Sequence, residues 1–204
     1  NTVEYAKING SGTLGTWSSL SSMTVIRSSF SAVAYNGYLY AVGGIDNSSN
    51  VLNSVERAKI NPDGSLGTWS IVSTLSSYRT GHTSVIANGY LYVAGGINNV
   101  STYLNTVERA KINPDGSLGA WSATSTMTSA RYNFSSVAAN GYLYSLGGIT
   151  GVASPTLTTE RATINGDGSL GAWSATNSFG STRYSHSSVA SGGLVYAIGG
   201  IDAG

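Results

Sequence analysis

Four arginines, Arg27, Arg79, Arg131 and Arg183, and four glutamates, Glu4, Glu56, Glu108 and Glu160, recur every 52 residues along the chain. A guanidinium is a planar fork of donors that suits a carboxylate, whether that carboxylate belongs to the protein or to a ligand. Glu56 shares one face of its extended segment with Ala58 and Ile60, and a carboxylate on an apolar face needs a partner. The arginines therefore serve either as its structural partners or as a ring of cations around a pore mouth. Two histidines, His82 and His186, occupy one column of the repeat, with Phe30 and Phe134 in the alternate units. They would ligate a metal across a narrow pore as neutral imidazoles, or pack at the start of an inner strand. Packing is the expectation. Asp46, Asn98 and Asp202 open variable loops with oxygen donors of the kind Ca²⁺ takes, but the set falls short of a cage. No metal or other cofactor is expected.

The remaining charges decide little. All nine acids and all ten bases fall into repeat columns, so none is unique to one unit. An active site on a pseudo-symmetric scaffold needs unlike residues gathered in distinct roles, and these columns offer no such gathering. The net charge of +1 supplies no basic field for a nucleic-acid backbone. No segment reaches the ~18 consecutive apolar residues of a membrane span. With no cysteine there is neither a disulfide framework nor a thiolate metal site. Charged residues make up only 9% of the chain, against roughly 25% in an average domain. Serine, threonine, asparagine and glycine carry its polarity instead, and that character suits an extracellular or cell-surface protein.

These residues are positioned by four units without insertion or deletion, about 1–52, 53–104, 105–156 and 157–204, read as a single domain. Residues 52–70 and 104–122 differ only at Ser54 against Thr106 and Thr68 against Ala120, a mark of tandem duplication or design. Each unit divides into four short extended segments separated by turn chemistry. "HTSVIA" alternates small polar with apolar residues, "NG" follows as a strong hairpin signal, and "YLYVAGG" is dense in aromatic and β-branched residues. "SVERAKI" then leads through "NPDGS" into "LGTWSIV", with Asp-Gly supplying the turn. No helical period is present. Four strands per unit of this length describe a β-propeller blade.

The Arg, the Gly-Gly pair, the "VE" strand, the Trp and the apolar residue six beyond it (Met23, Leu75, Met127, Phe179) together resemble the kelch repeat. The resemblance covers essentially the whole chain and implies an all-β propeller. Kelch rings commonly carry six or seven blades, and four units depart from that. The chain begins and ends between the second and third segments of a unit. Three arrangements follow: a closed ring of four blades whose last blade is completed by the N-terminal strands, a homodimer forming one eight-bladed ring, or a piece of a longer array.

Variation among units marks a face. The "NG" and "DGS" turns hardly change, whereas "IDNSSNVLN", "INNVSTYLN" and "ITGVASPTLT" differ freely, as do the connections that carry the arginines. In a four-stranded antiparallel blade these two connections emerge on one side. Binding surfaces are usually built from such loops on a rigid frame, and Tyr78, Tyr103, Tyr132 and Tyr184 suit stacking on sugars or anchoring a peptide. The resemblance adds the four arginines to that side. The expected function is non-enzymatic recognition or scaffolding, with a protein segment or a glycan as ligand. The alternatives are a sugar-active enzyme resembling the sialic-acid mutarotase propellers and a purely structural surface repeat module.

Overall fold

The computed structural model describes residues 1–151 and 154–202, and its regular structure is entirely β. The chain opens with the pair β1 (Glu4–Tyr5) and β2 (Ser18–Ser19). A first four-stranded blade follows: β3 (Ser31–Tyr35), β4 (Tyr38–Val42), β5 (Ser54–Lys59) and β6 (Ser70–Thr74). The second comprises β7 (Thr83–Ala87), β8 (Tyr90–Ala94), β9 (Val107–Lys111) and β10 (Ser122–Thr124). After the short β11 (Arg131–Tyr132) come β12 (Ser135–Ala139) and β13 (Tyr142–Leu146), then a ladder strand β14 (Ile149–Thr150) and β15 (Ser154–Pro155). The third blade is completed by β16 (Thr159–Thr163) and β17 (Ser174–Thr176), and the chain closes with the pair β18 (Ser187–Ser191) and β19 (Leu194–Ile198).

Every blade is an antiparallel meander, as its turn chemistry dictates. Asn88 and Gly89 both take positive φ, 50° and 75°, which is the backbone a two-residue hairpin turn requires. The blades lie face to face, and their innermost strands touch in sequence: β3 meets β7, β7 meets β12, and β12 meets β18. Tyr92, Val107, Met127, Leu143 and Trp173 form one of three apolar clusters between blades. Aromatic rings carry much of that buried area. Each tryptophan within the arc also donates to the unit before it: Trp69 Nε1 to Ser21 O at 3.0 Å, and Trp173 Nε1 to Ser125 O at 2.9 Å.

The Asp-Gly turns latch neighbouring blades. Asp115 Oδ1 accepts from the Ser117 amide and hydroxyl, which fixes the turn, and Tyr40 Oη reaches across to Gly116 O at 2.8 Å. The Arg57 guanidinium covers the Tyr38 ring at 4.9 Å and donates to Asp115 O at 2.7 Å. Burial pushes the Tyr40 phenol up to about 12, so it stays a donor at any ordinary pH. "NPDGSLGAWS" at 113–122 is thus inter-blade scaffolding on the side away from the variable loops.

The expected completion of the last blade by the N-terminal strands is not what the structure shows. Among the described residues β1 pairs only with β2 and β18 only with β19. Each of these two pairs is left as a two-stranded sheet, the outer half and the inner half of a blade. The result is an arc of three whole blades with the outer half of a blade at one end and an inner half at the other.

Candidate functional site

The two variable connections of each unit meet on one face because they hydrogen-bond to each other. Ile45 bridges Ser28 and Val51, and Ile97 bridges Thr80 and Tyr103. In the third unit the same ladder is the small sheet of β11, β14 and β15.

The arginine column lies beneath this face, and its assignment to ligand binding is corrected accordingly. Arg79 and Arg131 have no exposed surface and Arg27 has 5%. Arg79 Nη2 lies 2.8 Å from Glu108 Oε1, and its Nη1 donates to Gly95 O at 2.8 Å. Arg27 repeats this with Glu56 at 2.5 Å, and Arg131 pairs with Glu160. Burial alone would raise the Glu56 pKa. Hydrogen bonds from the Thr24 hydroxyl and from Arg27 outweigh it, and the carboxyl is held below its ordinary range. The Nε of Arg27 and of Arg131 is left without a partner, but both are enclosed, so these guanidiniums present no donor on the surface. Arg183 differs: it is half-buried, its Nη1 reaches only Gly199 O at 3.3 Å, and it rests on the Phe179 ring.

His82 and His186 are buried between blades. His82 Nε2 meets Ser31 Oγ at 2.9 Å, and a side chain on Gly43 of the preceding blade would strike its Cε1 at 2.8 Å. His186 meets Ser135 Oγ at 2.7 Å in the same way. Phe134 occupies the same slot against Gly95. Among the described residues no cluster of three His, Cys, Asp or Glu side chains stands ready for a metal. Burial, and next the Arg79 charge, hold the His82 pKa down at about 3. The unfolded chain takes up a proton near 6.5 that the native chain refuses. Stability is therefore full above that pH and falls from about 6.5 down to about 3, by up to about 1.4 kcal/mol per pH unit. Thermal melts at pH 7 and pH 5 should show this loss, and His82→Phe, matching Phe30 and Phe134, should reduce it. An unchanged difference between the two pH values would refute the assignment.

Asp46 and Asn98 are spent on their own loops. Asp46 Oδ1 accepts from the Ser48 and Asn50 amides, and Asn98 Oδ1 from those of Val100 and Thr102. The hydrogen bonds from Asn50 hold the Asp46 carboxyl below its usual range. Asp202 is exposed near the end of the chain.

The tyrosines do reach the loop face. Tyr78 is 42% exposed and lines a polar cavity of about 450 Å³ with Ser49, Asn50, Val51 and Asn99. In the loop that carries Asn99, Tyr103 lies 5.2 Å from the Tyr132 ring at 30°. Burial, and then Tyr103 beside it, raises the Tyr132 pKa, so the ring is neutral. Tyr184 bridges Ile201 one unit on.

Sequence reasoning missed the centre of the arc. A cavity of about 230 Å³ is lined there by Ser29, Phe30, Gly81, His82, Asn133 and their equivalents. Hydroxyl pairs join successive inner strands, Ser31 to Ser84 and Thr83 to Ser136, the latter at 2.7 Å. Serine or threonine at 31, 83, 135 and 187 was a readable signal of it.

The Kelch motif matches residues 26–57 and 78–109. The chain is 38% identical to human Kelch-like protein 33 over 88 residues, which cover 43% of this chain and 16% of that protein. Zebrafish (Danio rerio) Kelch-like protein 15 is 29% identical over 144 residues, covering 65% of this chain and 23% of that one. Alpha-scruin of Limulus polyphemus is 30% identical over 86 residues, 42% of this chain and 9% of that protein. The chain thus spans less than a quarter of each of these relatives. The solved structure of YjhT superposes with a TM-score of 0.73 at 13% identity, over 98% of this chain and 74% of that one. The fold, the repeat motif and the sequence similarities agree: the chain carries kelch motifs and has the fold of a kelch-type β-propeller.

Proposed function

We propose that the chain is a non-enzymatic recognition propeller that holds a protein segment or a glycan on its variable-loop face, outside the cell or at its surface. The observation that carries this reading is the cavity of about 450 Å³ between the loop at 49–51 and the Tyr78 and Asn99 side chains. Its amides and hydroxyls suit neutral hydrogen-bonding groups, and the Tyr103–Tyr132 pair adds a stacking surface. Enclosure of Arg27, Arg79 and Arg131 supports a ligand read by shape and hydrogen bonds rather than by charge.

Peptide and glycan arrays probed with the whole chain test this. The expected result is selective binding that changes little between low and high salt. Tyr78→Ala and Tyr132→Ala should each weaken it by about tenfold or more while the melting temperature stays close to that of the parent. Binding that survives both substitutions would move the site elsewhere. Turnover of a free sugar without stable binding would favour a mutarotase-like enzyme instead.

A further inference from the structure

Each inter-blade interface within the arc is built from the same contacts, displaced by 52 positions, and the two ends of the chain expose the two halves of one more such interface. At the N-terminal end an apolar groove of about 460 Å³ opens on the first blade, lined by Val3, Met23, Phe30, Val33, Leu39 and Trp69. At the other end β19 presents Tyr196 and Ile198, 47% and 60% exposed, although the equivalent Tyr92 is 1% exposed.

The halves match residue by residue. Phe134 fills the space over Gly95, and one unit earlier His82 fills the space over Gly43, whereas nothing lies within 4 Å of a side chain built on Gly199. The residue in register to fill it is Phe30. Tyr40 and Tyr92 donate to Gly116 O and Gly168 O, and the acceptor in register for Tyr196 is Gly64 O. Trp69 and Trp173 are 4% and 7% exposed, each bonded to the unit before, but Trp17 is 59% exposed and its acceptor in register is Asn177.

The charges agree with this register. Three arginines hold a glutamate 29 positions ahead, at separations of 2.5 Å for Arg27–Glu56 and 2.8 Å for Arg79–Glu108. Arg183 has no glutamate partner among the described residues, and Glu4 is exposed. In the repeat register Glu4 is the missing partner. β1 would then add to the free edge of β19, placing Ala197 opposite Glu4 as Ala41 is opposite Glu56.

We propose that a second copy of the chain supplies these halves: β1 and β2 of each copy complete the blade begun by β18 and β19 of the other. The contact is heterologous and occurs twice, so two copies related by a two-fold axis close the ring. The count favours two copies. Propellers typically have 4–8 blades; two copies make eight, three would make twelve, and one copy leaves its half-blades unpaired. Ring closure also removes two open sheet edges from each copy.

Light scattering on the purified chain tests this, with Glu4→Arg and Arg183→Glu as variants. Glu4 is exposed and Arg183 is only half-buried, so both variants should fold, and circular dichroism checks that they do. The parent should show twice the chain mass. Each variant alone should show one chain mass, with self-association weakened about 100-fold, because like charges then face each other at both contacts. Mixed in equal amounts, the two variants should recover the two-chain mass, since one contact is restored with its charges exchanged and the other is untouched. A parent of one chain mass, an open-ended series of larger masses, or a mixture that stays at one chain mass would overturn the proposal. Tyr78→Ala and Tyr132→Ala should leave the mass unchanged, which separates this contact from ligand binding on the loop face.

Discussion

Glu108→Ala is expected to lower stability by about 3–5 kcal/mol, the usual cost of leaving a buried charge without its partner. The pair is enclosed, with the Arg79 side chain wholly shielded and that of Glu108 4% exposed. Arg79 would keep its bonds to Gly95 O and Thr106 O and lose its carboxylate partner. The Ser76 amide and hydroxyl, which now donate to Glu108 Oε2, would lose their acceptor as well. For a chain of this length the melting temperature should fall by about 10 °C. A fall of 1–2 °C would show that solvent reaches the pair and that the column contributes little to the frame. Glu4→Ala supplies the contrast, because this exposed member of the same column should change the melting temperature of a dilute, monomeric sample very little.

Gly95→Ala should be nearly as damaging, at about 3 kcal/mol. Gly95 has φ +63°, where a side chain costs about 1 kcal/mol, and the added Cβ would stand 2.5 Å from Arg131 O and 2.7 Å from the Phe134 ring. Neither neighbour can yield cheaply: Arg131 O accepts the Gly96 amide at 2.9 Å, and Phe134 is core. The methyl group would therefore push two blades apart. Gly141→Ala isolates the backbone contribution, since Gly141 has φ +78° with nothing within 4 Å and should lose only about 1 kcal/mol. Urea titrations of the two variants measure the difference. Equal losses would mean that the Gly-Gly pairs answer to backbone conformation alone and not to the close approach of blades.

What could be read in the sequence was what is local. Asn-Gly turns, alternation in "HTSVIA" and the 52-residue period name strands and blades because each depends on neighbours a few residues away. Pairing of arginine with glutamate was also visible as a spacing. Whether it faced ligand or core was not, since the enclosure of Arg79 arises from stacking one sheet on the next. The tyrosines were readable for the opposite reason: a bulky ring in a variable loop has few places to go but the surface. That β1–β2 and β18–β19 stay separate two-stranded sheets was beyond reach, because pairing of the two termini depends on the packing of every blade between them and not on any local residue. The hydroxyl pairs along the inner strands escaped notice for a related reason, as Ser31 and Ser84 belong to different columns and meet only through the stagger of adjacent blades.

The innermost backbone adds one more consequence. Ser29, Gly81, Asn133 and Ser185 all take positive φ near 50–60°, and each amide after the first donates to the carbonyl one unit earlier: Gly81 to Ser29, Asn133 to Gly81, and Ser185 to Asn133. This inner rim is a one-way chain of peptide dipoles, a donor leading at one terminus and an acceptor trailing at the other. Arcs brought together head to head would oppose donor to donor, and tail to tail, acceptor to acceptor. A direction of travel around the axis is thus written into the main chain itself, where substitutions of side chains leave it intact.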